Sequence, residues 1–301
     1  MENQENFHLG SESESGEKIK TKIILEFMRH GEKENDKTKS DEEVRLTEKG
    51  RMMAGEKGEE LDPQKEVSLA WGSPKKRTQE TALRAMFPDI DPNASLEDIE
   101  EMIREEQKFG KKLIVDERLS FDLSGPEGKE MLAAFKEGKY LQYLISESDK
   151  RAIELGDKTS SSYLRYAGNI SEIINRYAKI GDNFNRIASK DDKYKEFGNQ
   201  LKRYLATHQG VAEGFVAKVL EEAQGPEKRD EFISSVGSGF KETEGIHLEI
   251  QNNGNHQEIT ITYQLNGDKE TITIDGNLIE KIIKEREIFE SKVNDQDASS
   301  K

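Results

Sequence analysis

Apolar residues in this chain fall into short runs that alternate with stretches of helical spacing. The run Ile23-Ile24-Leu25-Glu26-Phe27-Met28 predicts a strand over about 23–29, delivered into the turn Arg29-His30-Gly31. After a charged loop, Thr47 is placed to cap a helix through Arg51, Met52, Met53 and Ala54, because its hydroxyl can accept an amide of the first turn. Val67, Leu69 and Trp71 alternate with small residues ahead of Gly72-Ser73-Pro74, and Lys75 to Phe87 then reads as a helix with Ala82, Leu83 and Met86 on one face. Leu113-Ile114-Val115, ending at Asp116, is expected to be a short buried strand. Tyr204-Leu205-Ala206-Thr207 is a fourth, ending at His208 and Gly210 before a helix from Val211 to Glu222. This alternation predicts an α/β fold with a mostly parallel central sheet flanked by helices.

Two regions break the pattern. Between about 126 and 200, Pro126 suits a first helical turn, and Met131, Leu132, Phe135, Tyr140, Leu141, Leu144 and Ile145 carry helical spacing, as do Ile170, Ile173, Ile174 and Tyr177. This segment is either a helical insertion capping the strand ends or a helix layer on the sheet. Over about 246–275, three β-branched runs separated by Asn253-Gly254 and Asn266-Gly267 predict an antiparallel meander, which extends the sheet or stands as an appendage. A helix over about 277–290 follows. Residues 1–20 are polar and acidic and are expected to form a disordered tail, 21–288 the domain, and 289–301 a second flexible tail.

The 46 basic against 61 acidic residues give a net charge of −15, which disfavours nucleic acid and anionic membrane surfaces as partners. No cysteine is present, so disulfides and thiolate metal sites are excluded. The first twenty residues lack an apolar core of the signal-peptide kind and no run approaches a membrane span, so a cytoplasmic protein is expected. Nothing in the sequence indicates an oligomeric state.

Ligands of such sheets bind beyond the carboxyl ends of the strands, where His30, Ser73, Asp116 and His208 all follow strand candidates. A neutral imidazole at His30 can attack phosphorus, Arg29 and Arg77 offer planar donors matched to phosphate oxygens, and a protonated His208 adds another. Lys75, Lys76 and Arg77 crowd a helix N-terminus, where basic charge opposes the macrodipole, so an anion is expected beside them. This chemistry requires no metal or cofactor. His8, His247 and His256 have no supporting neighbours and read as surface or tail residues.

In order, Arg29-His30-Gly31-Glu32, Leu46-Thr47-Glu48-Lys49-Gly50-Arg51, Ser73-Pro74-Lys75-Lys76-Arg77-Thr78-Gln79-Glu80-Thr81-Ala82, Asp116-Glu117-Arg118-Leu119 and Thr207-His208-Gln209-Gly210 resemble the motifs of the histidine phosphatase, or phosphoglycerate mutase-like, superfamily. The resemblance covers about 22–125 and 203–222. It implies that His30 is transiently phosphorylated and that Arg29, Arg77 and His208 complete the phosphate pocket. A phosphatase then passes the group to water, whereas a mutase returns it to another oxygen. Three departures stand out: Asn35 lies five rather than six residues after His30, Gln209 follows the second histidine in place of glycine, and Phe121 occupies the place of the family's acid. Asp122 is the first candidate proton donor, with Glu117 and Glu213 as alternatives. The resemblance thus implies a metal-independent phosphomonoesterase acting on a small-molecule or protein phosphomonoester. A phosphoglycerate-type mutase and a non-catalytic phospholigand-binding protein are the alternatives.

Overall fold

A computed structural model describes residues 21–61, 67–105, 112–188, 200–253 and 256–299. Strands β1 (Lys22–Arg29), β2 (Val67–Gly72), β3 (Leu113–Val115) and β4 (Gln200–Thr207) run parallel. β5 (Gly245–Asn253), β6 (His256–Leu265) and β7 (Asp268–Asp275) continue the sheet antiparallel from β1, in the order β3-β2-β4-β1-β5-β6-β7. The meander therefore extends the sheet rather than standing apart. Its second turn has Asn266 and Gly267 at φ 54° and 92°, the left-handed pair that a two-residue hairpin needs. Gly254, of the first turn, lies outside the described residues.

Helices α1 (Glu48–Glu60), α2 (Lys76–Met86) and α3 (Leu96–Glu105) follow β1 and β2. α4 (Gly128–Lys136), α5 (Tyr140–Ser146), α6 (Ser148–Leu155) and α7 (Tyr163–Ala188) lie between β3 and β4. α8 (Val211–Gln224) and α9 (Pro226–Val236) follow β4, and α10 (Gly276–Ser299) follows the meander. Thr47 caps α1 as its sequence implies, its Oγ1 accepting the Gly50 amide at 3.0 Å.

Alternation along β1 divides two cores. Ile23, Leu25 and Phe27 face α7 and α8 with Trp71, Ile173 and Phe215, whereas Met28 faces α2 with Ala82, Leu83 and Tyr204. Residues 189–199 of the 126–200 segment lie outside the described residues, and the described part contacts both the sheet face and the strand rim. α7 is a helix layer, with Ile170, Ile173 and Ile174 fully buried, whereas α5 reaches the strand rim, where a Cβ built on Gly210 would lie 2.5 Å from Tyr140 Cε1.

Three expectations are corrected. The flexible tail from 289 is helical to Ser299, because Phe289 and Val293, one turn apart, bury against Ala152 of α6. β3 is an edge strand rather than a buried one, with Val115 exposed. His247 is half-buried, its Nδ1 2.8 Å from Glu26 Oε1 and its Nε2 3.0 Å from Glu249 Oε1, and the Glu26 contact raises its pKa. No helix among the described residues is long and apolar enough to cross a membrane.

Candidate active site

Register alone gathers the candidate residues. Arg29 pairs with Thr207 and Gly72 with Ala206, so His30, His208 and Ser73 leave three neighbouring strands at one rim. The His30 amide donates to Thr207 O at 2.9 Å, tying two of those ends together. The turn after His30 is locked backbone to backbone: a Cβ on Gly31 would sit 2.6 Å from Gly50 O, and one on Gly50 would overlap Glu32 O. The glycines of the first two motifs thus serve one close approach, which the Gly31 amide reinforces by donating to Thr81 Oγ1 at 3.1 Å.

This turn sets the tautomer of His30. Nδ1 lies 2.7 Å from Gly31 O, so it carries the proton and donates, leaving Nε2 unprotonated, its lone pair accepting from Arg77 Nε at 3.3 Å. Burial, aided by the charges of Arg77, Arg29 and Lys33, lowers the His30 pKa from 6.5 to about 3. The imidazole is therefore neutral at neutral pH, as a nucleophile must be.

His208 stands edge-on to His30, with ring centroids 5.3 Å apart, and is buried. Its Nε2 is 2.9 Å from Ser73 Oγ, itself 2.9 Å from Thr78 Oγ1, which donates to Lys75 O at 2.8 Å. Its Nδ1 is buried without a partner among the described residues. Burial, then the neighbouring His30, Arg77, Lys75 and Lys33, hold His208 well below its ordinary pKa.

An internal anion occupies the cationic corner. Arg77, fully buried, donates from Nη1 to Asp41 O at 2.6 Å and from Nη2 to Asp41 Oδ2 at 3.1 Å. Lys75 Nζ lies 2.5 Å from Asp41 Oδ2 and Lys33 Nζ 3.8 Å from Oδ1. Burial opposes its ionisation, but the hydrogen bonds from Lys75 and Arg77 outweigh it and pull the Asp41 pKa to about 2. The crowding of Lys75, Lys76 and Arg77 did imply an anion here. Its source was hidden, because Asp41-Glu42-Glu43 reads as a solvated acidic run.

The remaining candidates separate. Arg29 turns aside: its Nη1 donates to Phe240 O at 2.8 Å and its Nη2 lies 3.8 Å from Glu242 Oε1. Asp122 and Glu117, both exposed, line a cavity of about 970 Å³ together with Lys33, Asp41 and Lys75. Phe121 packs its ring edge-on to His208 at 4.8 Å, under Lys75 Nζ at 4.5 Å. Glu213 does not line this cavity: its Oε2 accepts the Gly210 amide and its Oε1 the Phe240 amide, both at 2.8 Å. Although burial raises its pKa, Glu213 caps α8 and anchors the loop at Phe240. Gly210, at φ 92°, keeps the turn that Gln209 alters. Among the described residues, no group of three or more histidines and carboxylates is arranged to hold a metal.

Two outcomes follow from these contacts. Asp41→Asn should strengthen inhibition by phosphate and vanadate about three- to tenfold, because it removes the carboxylate competing for Arg77 and Lys75. Weaker inhibition would mean that Asp41 holds Arg77 in place rather than competing. For pH, unfolded histidine binds a proton below about 6.5, whereas folded His30 refuses one until about 3. Stability is therefore lost progressively as pH falls through that window. Thermal melts between about pH 7.5 and 5 should show a shallower loss for His30→Gln than for the unaltered protein, and equal slopes would contradict the buried neutral imidazole.

Residues 25–109 match the model of the histidine phosphatase superfamily (branch 1). A comparison with curated proteins gives no match. Among solved structures, the mycobacterial glucosyl-3-phosphoglycerate phosphatase is similar at 12% identity and a TM-score of 0.40, over 78% of this chain and 91% of that one. A phosphoserine phosphatase from Entamoeba histolytica, in complex with 3-phosphoglyceric acid, is similar at 14% identity and a TM-score of 0.40, over 76% of this chain and 90% of that one.

Proposed function

We infer that this chain, whose residues 25–109 carry a histidine phosphatase superfamily domain, hydrolyses phosphomonoesters through a phosphohistidine on His30. The observation that carries this reading is the fixed tautomer: Nδ1 bonded to Gly31 O, with the Nε2 lone pair directed toward Arg77.

In the first step Nε2 of His30 forms a bond to phosphorus while the phosphorus–oxygen bond of the ester breaks, and the departing oxygen takes a proton from a rim carboxyl. That role falls to Asp122, with Glu117 on the same wall as its alternative. Arg77, Lys75 and His208 surround the transferring oxygens, and His208 Nδ1 gains the partner it lacks. In the second step the rim carboxylate takes a proton from water, the hydroxyl oxygen bonds to phosphorus, and the nitrogen–phosphorus bond breaks. Arg29 contributes charge from the Phe240 side rather than direct contact.

Hydrolysis of a generic aryl phosphate in EDTA, with inhibition by vanadate, is the expected result. Turnover that requires an added divalent metal would count against the mechanism. Interconversion of 2- and 3-phosphoglycerate without phosphate release would replace the hydrolase reading with a mutase.

A further inference from the structure

The cavity that opens beside the Asp41 cluster has both cationic and apolar lining. Lys33 and Lys75 supply the charge, the Phe121 ring lies under Lys75 Nζ, and Leu123, Leu132, Phe135 and Tyr166 add further apolar surface. Six large apolar side chains are exposed among the described residues, and two of them, Leu132 at 42% and Phe135 at 51%, sit one turn apart on α4 against this cavity. Exposed apolar surface carries an unfavourable hydration free energy of about 25 cal/mol per Å², so a pair concentrated on a pocket wall marks a contact surface.

Several polar side chains of the same walls already have partners. Ser161 Oγ accepts from the Asp122 amide at 2.8 Å, Tyr166 Oη pairs with Tyr140 Oη at 3.2 Å, and Asn169 Oδ1 accepts from Arg286 Nη1 at 2.8 Å. Arg165 Nε donates to Glu290 Oε1 at 2.8 Å. Beside α7, a polyhydroxylated leaving group would meet side chains already bonded to protein partners, so part of its lost hydration would go unreplaced there. Next to His208, where the family places an acid, this chain has the apolar edge of Phe121.

We propose that this cavity is a leaving-group subsite for phosphomonoesters of aromatic or otherwise apolar alcohols, with Leu132 and Phe135 as specificity residues. The proposal rests on the phosphatase reading for the position of the phosphate. The phosphoryl group lies at Arg77 and Lys75, displacing the Asp41 carboxylate, and the ring passes Phe121 toward α4. The volume of about 970 Å³ accommodates a fused bicyclic ring with room to spare.

The test compares the full chain with its Leu132→Ser/Phe135→Ser variant, both positions being exposed enough to substitute without opening a core. The ratio of kcat/KM for 1-naphthyl phosphate over glycerol 2-phosphate should fall at least about fivefold in the variant, chiefly through KM for the naphthyl ester. Because naphtholate is intrinsically the better leaving group, binding is measured separately by calorimetry with 1-naphthylmethylphosphonate and methylphosphonate, neither of which is hydrolysed. The naphthyl compound should bind the unaltered protein about tenfold more tightly, and the variant should lose most of that difference. Equal affinity of the two phosphonates, or a preference unchanged in the variant, overturns the subsite. Preferential phosphonate binding without turnover of either ester would leave the subsite standing and remove the hydrolase reading.

Discussion

His30→Ala should lower phosphomonoester turnover by at least about a thousandfold, with KM changed far less than kcat. The side chain is the bond-forming atom in both steps, and its removal leaves only the slow direct attack of water on an ester held by cations. The effect should not come from misfolding. The His30 amide still donates to Thr207 O, the Gly31–Gly50 approach is between backbones, and the buried imidazole is itself a liability at acid pH. His30→Ala should therefore melt no lower than the unaltered protein near pH 6 while being inactive. An active His30→Ala protein would remove the nucleophile from the account.

Arg77→Ala should reduce kcat/KM by at least about a hundredfold and abolish vanadate inhibition in the range where the unaltered protein is inhibited. Arg77 is fully buried, faces the His30 lone pair through Nε, and directs Nη2 at the Asp41 carboxylate while Nη1 donates to the Asp41 backbone carbonyl. A buried guanidinium in that arrangement stabilises charge that develops on the equatorial phosphoryl oxygens, where little water competes. Arg77→Lys should recover little, because a point charge cannot reach both Nε2 of His30 and the anion. Truncation also leaves Asp41 held by Lys75 alone at short range, so part of the loss in substrate affinity should be absent in the Arg77→Ala/Asp41→Asn double variant. Retention of vanadate inhibition in Arg77→Ala would place phosphate elsewhere.

The elements that carry the site are legible in the sequence for local reasons. β1 and β4 are short β-branched or apolar runs closed by a turn, α1 and α2 begin at recognisable signals, and Asn266-Gly267 specifies its hairpin. Parallel pairing then brings His30, Ser73 and His208 together without further information. What the sequence hides is tertiary. The last turns of α10 look like a polar tail because Phe289 and Val293 are the only large apolar residues there, and their partner Ala152 lies far away in sequence. Asp41 looks solvated because its cations come from two other segments. Glu213 sits one turn from His208 and so looks catalytic, yet Gly210-x-x-Glu213 is also a helix-start signal, and the structure uses it as one. Arg29 neighbours the nucleophile in sequence, but successive side chains leave a strand on opposite faces, and its guanidinium ends at Phe240.

The covalent claim has a direct readout. The full chain, mixed briefly with a ³²P-labelled aryl phosphate and quenched in alkali, should retain label that survives base and is released by acid, the lability of a phosphoramidate, and that maps to the peptide containing His30. Label that is absent, that sits on another residue or that persists in the His30→Ala protein would contradict the phosphohistidine on which the mechanism rests.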